Sequence, residues 1–250
     1  MLHKNKIFHY RKILVVLLII MLLSNNLFGL YLGSAFAADI ITDNKTETSI
    51  SIDGDIIDIN TSTIKDQNAF NSFEKFNLDA AKTANLYLPN NTSNLINLVH
   101  GSRSDIYGTL NSIKDGQIGG HLFFLNPHGM LIGRDASLNV GSLTALTPSQ
   151  DYMESFFDSV NSPNSDSVQK IIDGQVPITE SGQITVKGTI NAVEDINLQS
   201  GNFTNQGTVQ SAAVFESSSD FSDVVNTNGL ESGNQLQIAD SGDIYISSET

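Results

Sequence analysis

The chain contains no cysteine, which removes disulfides, thiolate zinc sites and a cysteine nucleophile together. Charged residues are also scarce, at 16% of 250 residues against the ~25% usual in soluble proteins. Basic residues are the scarcest, 13 against 27 acidic, and four of them (Lys4, Lys6, Arg11 and Lys12) fall in the first 37 positions. The remainder has nine basic residues, of which only Arg103 and Arg134 are arginines. Nucleic-acid binding through counterion release needs a basic stripe, so that class is set aside. A helical bundle would want more Ala, Glu, Lys and Leu than this composition holds. What is present is 40% hydrophobic residues, enough for a core, with 25 Asn, 29 Ser and 19 Gly to cover it. A surface of amides and hydroxyls suits turns and stacked strands.

The first residues read as an export signal. Residues 1 to 12 are basic, Ile13 to Leu23 is an apolar run of 11, and Ala35-Phe36-Ala37 forms a small-residue cleavage site before Ala38. The run falls short of the ~20 residues needed to span a bilayer; reading on to Leu32 would make it an uncleaved anchor. The expected organisation is a signal peptide at 1–37, a folded secretion domain at 38–215 and the start of a downstream repeat region at 216–250. The chain stops just after the strand-like Ile244-Tyr245-Ile246 with no cap, so a longer repeat protein is expected.

From about Ile50 the chain alternates short apolar runs with Gly and Asn. Ile56-Ile57-Asp58-Ile59, Ile184-Thr185-Val186 and Ile196-Asn197-Leu198 each read as a strand. Leu122-Phe123-Phe124-Leu125 is apolar at every position, which fits a strand covered on both faces. Gly182-Gln183-Ile184-Thr185-Val186 recurs as Gly242-Asp243-Ile244-Tyr245-Ile246 after 60 residues, and Gly188-Thr189-Ile190 as Gly207-Thr208-Val209 after 19. Gly108-Thr109-Leu110 has the same form. Strand and turn returning every ~20 residues predict coils stacked as a parallel β-helix, in which side-chain amides can form ladders. The alternative all-β reading is a sandwich with strands every ~8 to 12 residues. Residues 149–174 break the rhythm: Ser149 is a candidate cap for a helix over Asp151 to Phe157, and Gly174 a candidate stop for one over Ser167 to Ile172. The spacing predicts two short helices, each placing an apolar stripe on the stack.

Asn126-Pro127-His128-Gly129 has the residue preferences of a type I β-turn at its first, second and fourth positions. The stretch Asn97 to Leu110, then Gly120 to Gly133, then Ala136 to Thr147, resembles the N-terminal secretion domain of two-partner-secretion exoproteins, the filamentous-haemagglutinin-like adhesins and haemolysins. His121 to Ser149, followed by Asp151-Tyr152-Met153, is most similar to the leukotoxin-type filamentous adhesins. Asn71 to Leu78 matches the family's Phe-x-x-Phe segment at Phe73 and Phe76, and His128 stands where the family usually has Asn. The resemblance implies an all-β, right-handed parallel β-helix with an N-terminal cap. It also implies recognition in the periplasm by the soluble domains of a dedicated outer-membrane β-barrel transporter, then release to the cell surface or medium. Asn126, Pro127, His128 and Gly129 are the residues it marks for transporter recognition or for the structural turn; Ala35, Ala37 and Ala38 mark signal cleavage.

Other chemistries leave weaker traces. Parallel β-helices include polysaccharide-degrading and polysaccharide-binding proteins, and a glycosidase would want two carboxylates on one face. Asp53 with Asp55 and Glu194 with Asp195 are the nearest pairs. His100, His121 and His128 lack any short ligand spacing, so neither metal nor other cofactor is expected. No catalytic residue is assigned.

Overall fold

A computed structural model describes residues 39–211, 213–218, 235–238 and 244–247. The expected signal, with Ala35, Ala37 and Ala38, and most of 216–250 lie outside the described residues. The chain winds as a parallel β-helix of three faces. The first face carries β5 (Asn68–Phe76), β7 (Asn94–Val99), β11 (His121–Leu125), β14 (Ser142–Leu146), β19 (Asp195–Ser200) and β22 (Ala213–Ser218), each parallel to the next. The second carries β3 (Ile56–Thr61), β6 (Thr83–Tyr87), β9 (Thr109–Lys114), β13 (Ser137–Val140), β18 (Thr189–Ala192) and β21 (Thr208–Gln210). The third is shorter: β8 (Ser104–Ile106), β12 (Met130–Ile132), β17 (Gln183–Val186) and β20 (Asn202–Asn205).

Antiparallel strands close the N-terminal end. β1 (Ile40–Thr42) lies along β5, β2 (Thr48–Asp53) along β3, and β4 (Ile64–Lys65) folds back on β5. Gly54, at φ +60, makes the two-residue turn between β2 and β3, the geometry that favours glycine at the first central position of a tight hairpin. β10 (Gln117–Ile118) pairs back on β9 through Asp115 and Gly116, both at positive φ. Such excursions lengthen the early coils: Thr83 sits over Thr109, and Thr109 over Ser137. Past the helical excursion the coil shortens to 19 residues, with Thr189 over Thr208. The expected Gly-Thr-apolar repeat therefore holds in register. Its glycine is there for space: a Cβ on Gly188 would lie 2.3 Å from the Gly133 carbonyl oxygen, and one on Gly207 2.1 Å from that of Gly188. The 60-residue repeat does not continue the stack. β24 (Ile244–Ser247) is a strand, but its partner is β23 (Gln235–Ile238), antiparallel.

Inside the coils the core is apolar from Ile57 to Phe203. A second apolar layer lies outside the first face. In β11, Leu122 and Phe124 point inward, whereas Phe123 and Leu125 meet Tyr152, Met153, Phe156, Val168 and Ile171 of the excursion. That is why the strand is apolar at every position. The cover consists of α1 (Gln150–Glu154), capped by the Ser149 side chain, and α2 (Ser165–Ile172), capped by Asn164 and followed by Gly174 at φ +65. The first helix stops earlier than its sequence suggests. Phe157 to Ser159 forms β15, paired with β16 (Ser162–Pro163) around Asn161 at φ +58. Asn161 fastens this hairpin to the cap: its N–H donates to the Lys45 carbonyl (2.9 Å), its amide to Glu47 (3.1 Å), and its Oδ1 accepts from Thr63 (3.0 Å).

Phe124 is 1% exposed and meets Phe76 edge-on at 5.3 Å. Phe124→Ala should cost ~3 to 5 kcal/mol of unfolding free energy through lost burial and the cavity left behind, read as a lowered midpoint in chemical denaturation.

Candidate functional site

The corner between β11 and β12 is built by Asn126-Pro127-His128-Gly129. The Gly129 N–H donates to the Asn126 carbonyl at 3.0 Å, closing a β-turn, and the His128 N–H donates to Asn126 Oδ1 at 2.9 Å. Proline at the second position presets the backbone and needs no N–H partner there. The Asn126 side chain is buried and turns away from its own loop. Its Nδ2 donates to the Ser102 carbonyl (2.9 Å) and to Ser104 Oγ (3.0 Å), both in the corner one coil earlier. The Asn126 N–H donates to the Leu146 carbonyl of the following coil. Gly129, at φ +90, packs so closely that a Cβ would lie 2.2 Å from the Gln183 carbonyl oxygen. Three coils thus converge at this corner. Pro127 is buried with Asn126, and His128 alone is exposed at the apex.

His128 Nε2 lies 3.1 Å from the carbonyl oxygen of His100, which occupies the corner beneath. The His100 ring is buried, with Nε2 3.2 Å from Ser72 Oγ and 3.6 Å from Asp43 Oδ2, while Ser72 Oγ donates to the same Asp43 oxygen at 2.7 Å. The triad residues are present, but the hydroxyl is bonded to the carboxylate and buried, so this is a structural clasp between cap and stack and has no free nucleophile. Burial drives the His100 pKa down to about 4; the nearby Lys45 charge lowers it further and Asp43 opposes both.

Deeper in the same end, buried Asn71 donates to Asn97 Oδ1 (3.0 Å), and Asn97 donates to the Phe123 carbonyl (3.1 Å). Thr48 of the cap donates to Asn71 Oδ1 (2.8 Å). Phe73 and Phe76 of the Phe-x-x-Phe segment are fully buried and meet each other edge-on at 5.2 Å. Sequence reasoning placed neither the Asn71–Asn97 pair nor the His100 clasp, because both join residues more than 20 positions apart.

The remaining candidates are dispersed. His121 lies on the first face, stacked on Phe123 at 4.0 Å with Nε2 2.7 Å from Thr144 Oγ1, and burial lowers its pKa. It borders a small cavity of about 160 Å³ between α2 and the first face. Asp53 and Asp55 flank the Gly54 turn, and Asp55 pairs with Lys82 at 2.8 Å. Glu194 accepts from Ser142 Oγ at 3.0 Å. Among the described residues, no group of three His, Asp or Glu is placed to hold a metal ion.

His100 generates a pH dependence. Its ordinary value of 6.5 applies in the unfolded chain and about 4 in the folded one, so acid protonates the unfolded chain first. Stability should fall as pH drops from 6.5 towards 4. His100→Gln should flatten that part of a plot of thermal midpoint against pH, leaving the smaller slope from His121.

The TPS secretion domain family matches residues 38–247. Among solved structures, the chain is similar to the crystal structure of the HMW1 secretion domain from Haemophilus influenzae, at 20% identity and a TM-score of 0.46, over 85% of this chain and 49% of that one. It therefore spans about half the length of that structure. No curated protein matches it. With the family spanning 38–247 of its 250 residues, the chain belongs to the TPS secretion domain family.

Proposed function

We propose that the chain is the secretion and fold-nucleation segment of a filamentous adhesin, exposed on the cell surface or released. A dedicated outer-membrane β-barrel transporter would recognise it in the periplasm through its soluble domains. The observation carrying this reading is the family match across 38–247, joined to a cap and corner that can act as a starting template. Coils of a solenoid contact mainly their neighbours, so folding that starts at one end propagates. Each coil emerging outside the membrane then buries apolar surface at ~25 cal/mol per Å² on the coil before it. Sliding back would require unfolding, so export can proceed without a nucleotide.

Within the corner the roles divide. Asn126, Pro127 and Gly129 are buried and hold the turn, whereas His128 is the exposed residue offered to a partner. With the transporter co-expressed, His128→Ala should reduce export while leaving the thermal midpoint unchanged. Asn126→Ala combined with Pro127→Ala should reduce both, since Ser102 and Ser104 lose their donor. Undiminished export of that double variant would remove the corner from the mechanism. Export is also expected to begin with cleavage after Ala37, so the intact mass of the exported product should correspond to a chain starting at Ala38.

A further inference from the structure

The outer surface of the second face carries a repeat broader than Gly-Thr-apolar. Thr83-Ala84-Asn85, Thr109-Leu110-Asn111, Ser137-Leu138-Asn139 and Thr189-Ile190-Asn191 occupy equivalent positions in β6, β9, β13 and β18. The middle residue is buried in every case, and its neighbours point outward because side chains alternate along a strand. The four asparagines form one continuous chain of hydrogen bonds. Asn191 Nδ2 donates to Asn139 Oδ1 (2.9 Å), Asn139 Nδ2 to Asn111 Oδ1 (2.9 Å), and Asn111 Nδ2 to Asn85 Oδ1 (3.0 Å). Asn85 Nδ2 donates to Asp58 Oδ1 (2.9 Å), which also accepts from the Tyr87 hydroxyl (3.1 Å).

Every amide nitrogen points to the preceding coil and every amide oxygen to the following one. An isolated row of asparagines could run either way, since each amide has one donating and one accepting end. Asp58 removes the choice. An ionised carboxylate accepts only, so Asn85 must turn its nitrogen towards it, Asn111 must then do the same, and so on along the face. Asp58 sits in β3, where the antiparallel cap meets the first parallel coil; its cap-side partner is Ser51.

We infer that Asp58 is the root of a one-way amide ladder that sets the register and direction in which successive coils add. A finished coil presents an oxygen to the incoming one, and only a chain with an amide donor at that position completes it. A slip of one residue would bring Ala84, Leu110, Leu138 or Ile190 to the ladder position and turn the asparagine into the core. The inference rests on the ladder alone and is independent of what recognises the chain.

The test uses thermal unfolding of the full chain, without transporter, in about 1 M salt, where the screening length is ~3 Å. Asp58→Asn alone should leave the midpoint nearly unchanged, because an amide oxygen can replace the carboxylate towards Asn85. Asn111→Asp should lower it by roughly 5 °C, the scale of a lost buried-edge hydrogen bond with its donor replaced by an acceptor. The double variant should recover at least half of that loss. With the acid gone from the root, Asn85 is free to reverse and donate to the new carboxylate. Residues 58 and 111 are two coils apart, about 9.6 Å at the usual strand spacing, so screened charges cannot produce the rescue. Should Asn111→Asp fail to fold, folding of the double variant is the same rescue. Additive losses, a double variant that does not fold, or an Asn111→Asp midpoint equal to the parent's would each overturn the one-way ladder.

Discussion

The constraint on which the rest depends is that no coil is complete by itself. Each strand's N–H and C=O groups are satisfied only by the coils before and after it, and each inward side chain is covered only by neighbours at the same register. This is visible in the column Leu110, Leu138 and Ile190, all buried and successive on the second face. The same constraint exposes the two ends of the stack. At the N-terminal end it is met by reversing strand direction: β1, β2 and β4 are antiparallel, so the first parallel strands gain partners without presenting a long open edge.

The helical excursion answers a different need. The first face is apolar outside as well as inside along Phe70, Ile96, Leu98, Phe123 and Leu125, and water would otherwise meet that layer. Two short helices and a hairpin cover it. Because Asn161 binds Lys45, Glu47 and Thr63, and Lys65 Nζ donates to the Pro163 carbonyl at 2.7 Å, the cover is tied to the cap across roughly a hundred residues of chain. The cap, the early coils and the excursion therefore form one interlocked unit, larger than any single coil. A stack that grows by addition needs such a nucleus, since the first coil has no template and must close its loops before neighbours can stabilise them.

The corner at Asn126 belongs to this unit. Its amide reaches back one coil, its backbone N–H reaches forward one, and His128 touches the carbonyl of His100, whose ring is clasped by Ser72 and Asp43 beside the cap. The division into buried Asn126, Pro127 and Gly129 and exposed His128 follows from geometry: an asparagine whose three polar atoms are all engaged by protein has none left for a partner. The carboxylates that suggested sugar chemistry are spent on a hairpin turn, an ion pair with Lys82 and a bond to Ser142.

Much of this was legible in order along the chain. Gly188-Thr189-Ile190 and Gly207-Thr208-Val209 announce stacked coils because a period is local information. The apolar run Leu122 to Leu125 announces a strand covered twice, and Ser149 and Gly174 mark the ends of the excursion because caps and stops are local too. What the residues alone could not decide is which coil meets which. Coil length varies from 19 residues to more than 26, so the T-x-N row, the Asn71–Asn97 pair and the His100 clasp align only after hairpins and excursion are removed from the count. Gly242 to Ile246 shows the converse, a local match whose strand pairs antiparallel with Gln235–Ile238. Residue type and spacing determined that this chain would stack strands; only the tertiary structure decided the register, because register is a relation between residues tens of positions apart and is set by hydrogen bonds and packing between neighbouring coils.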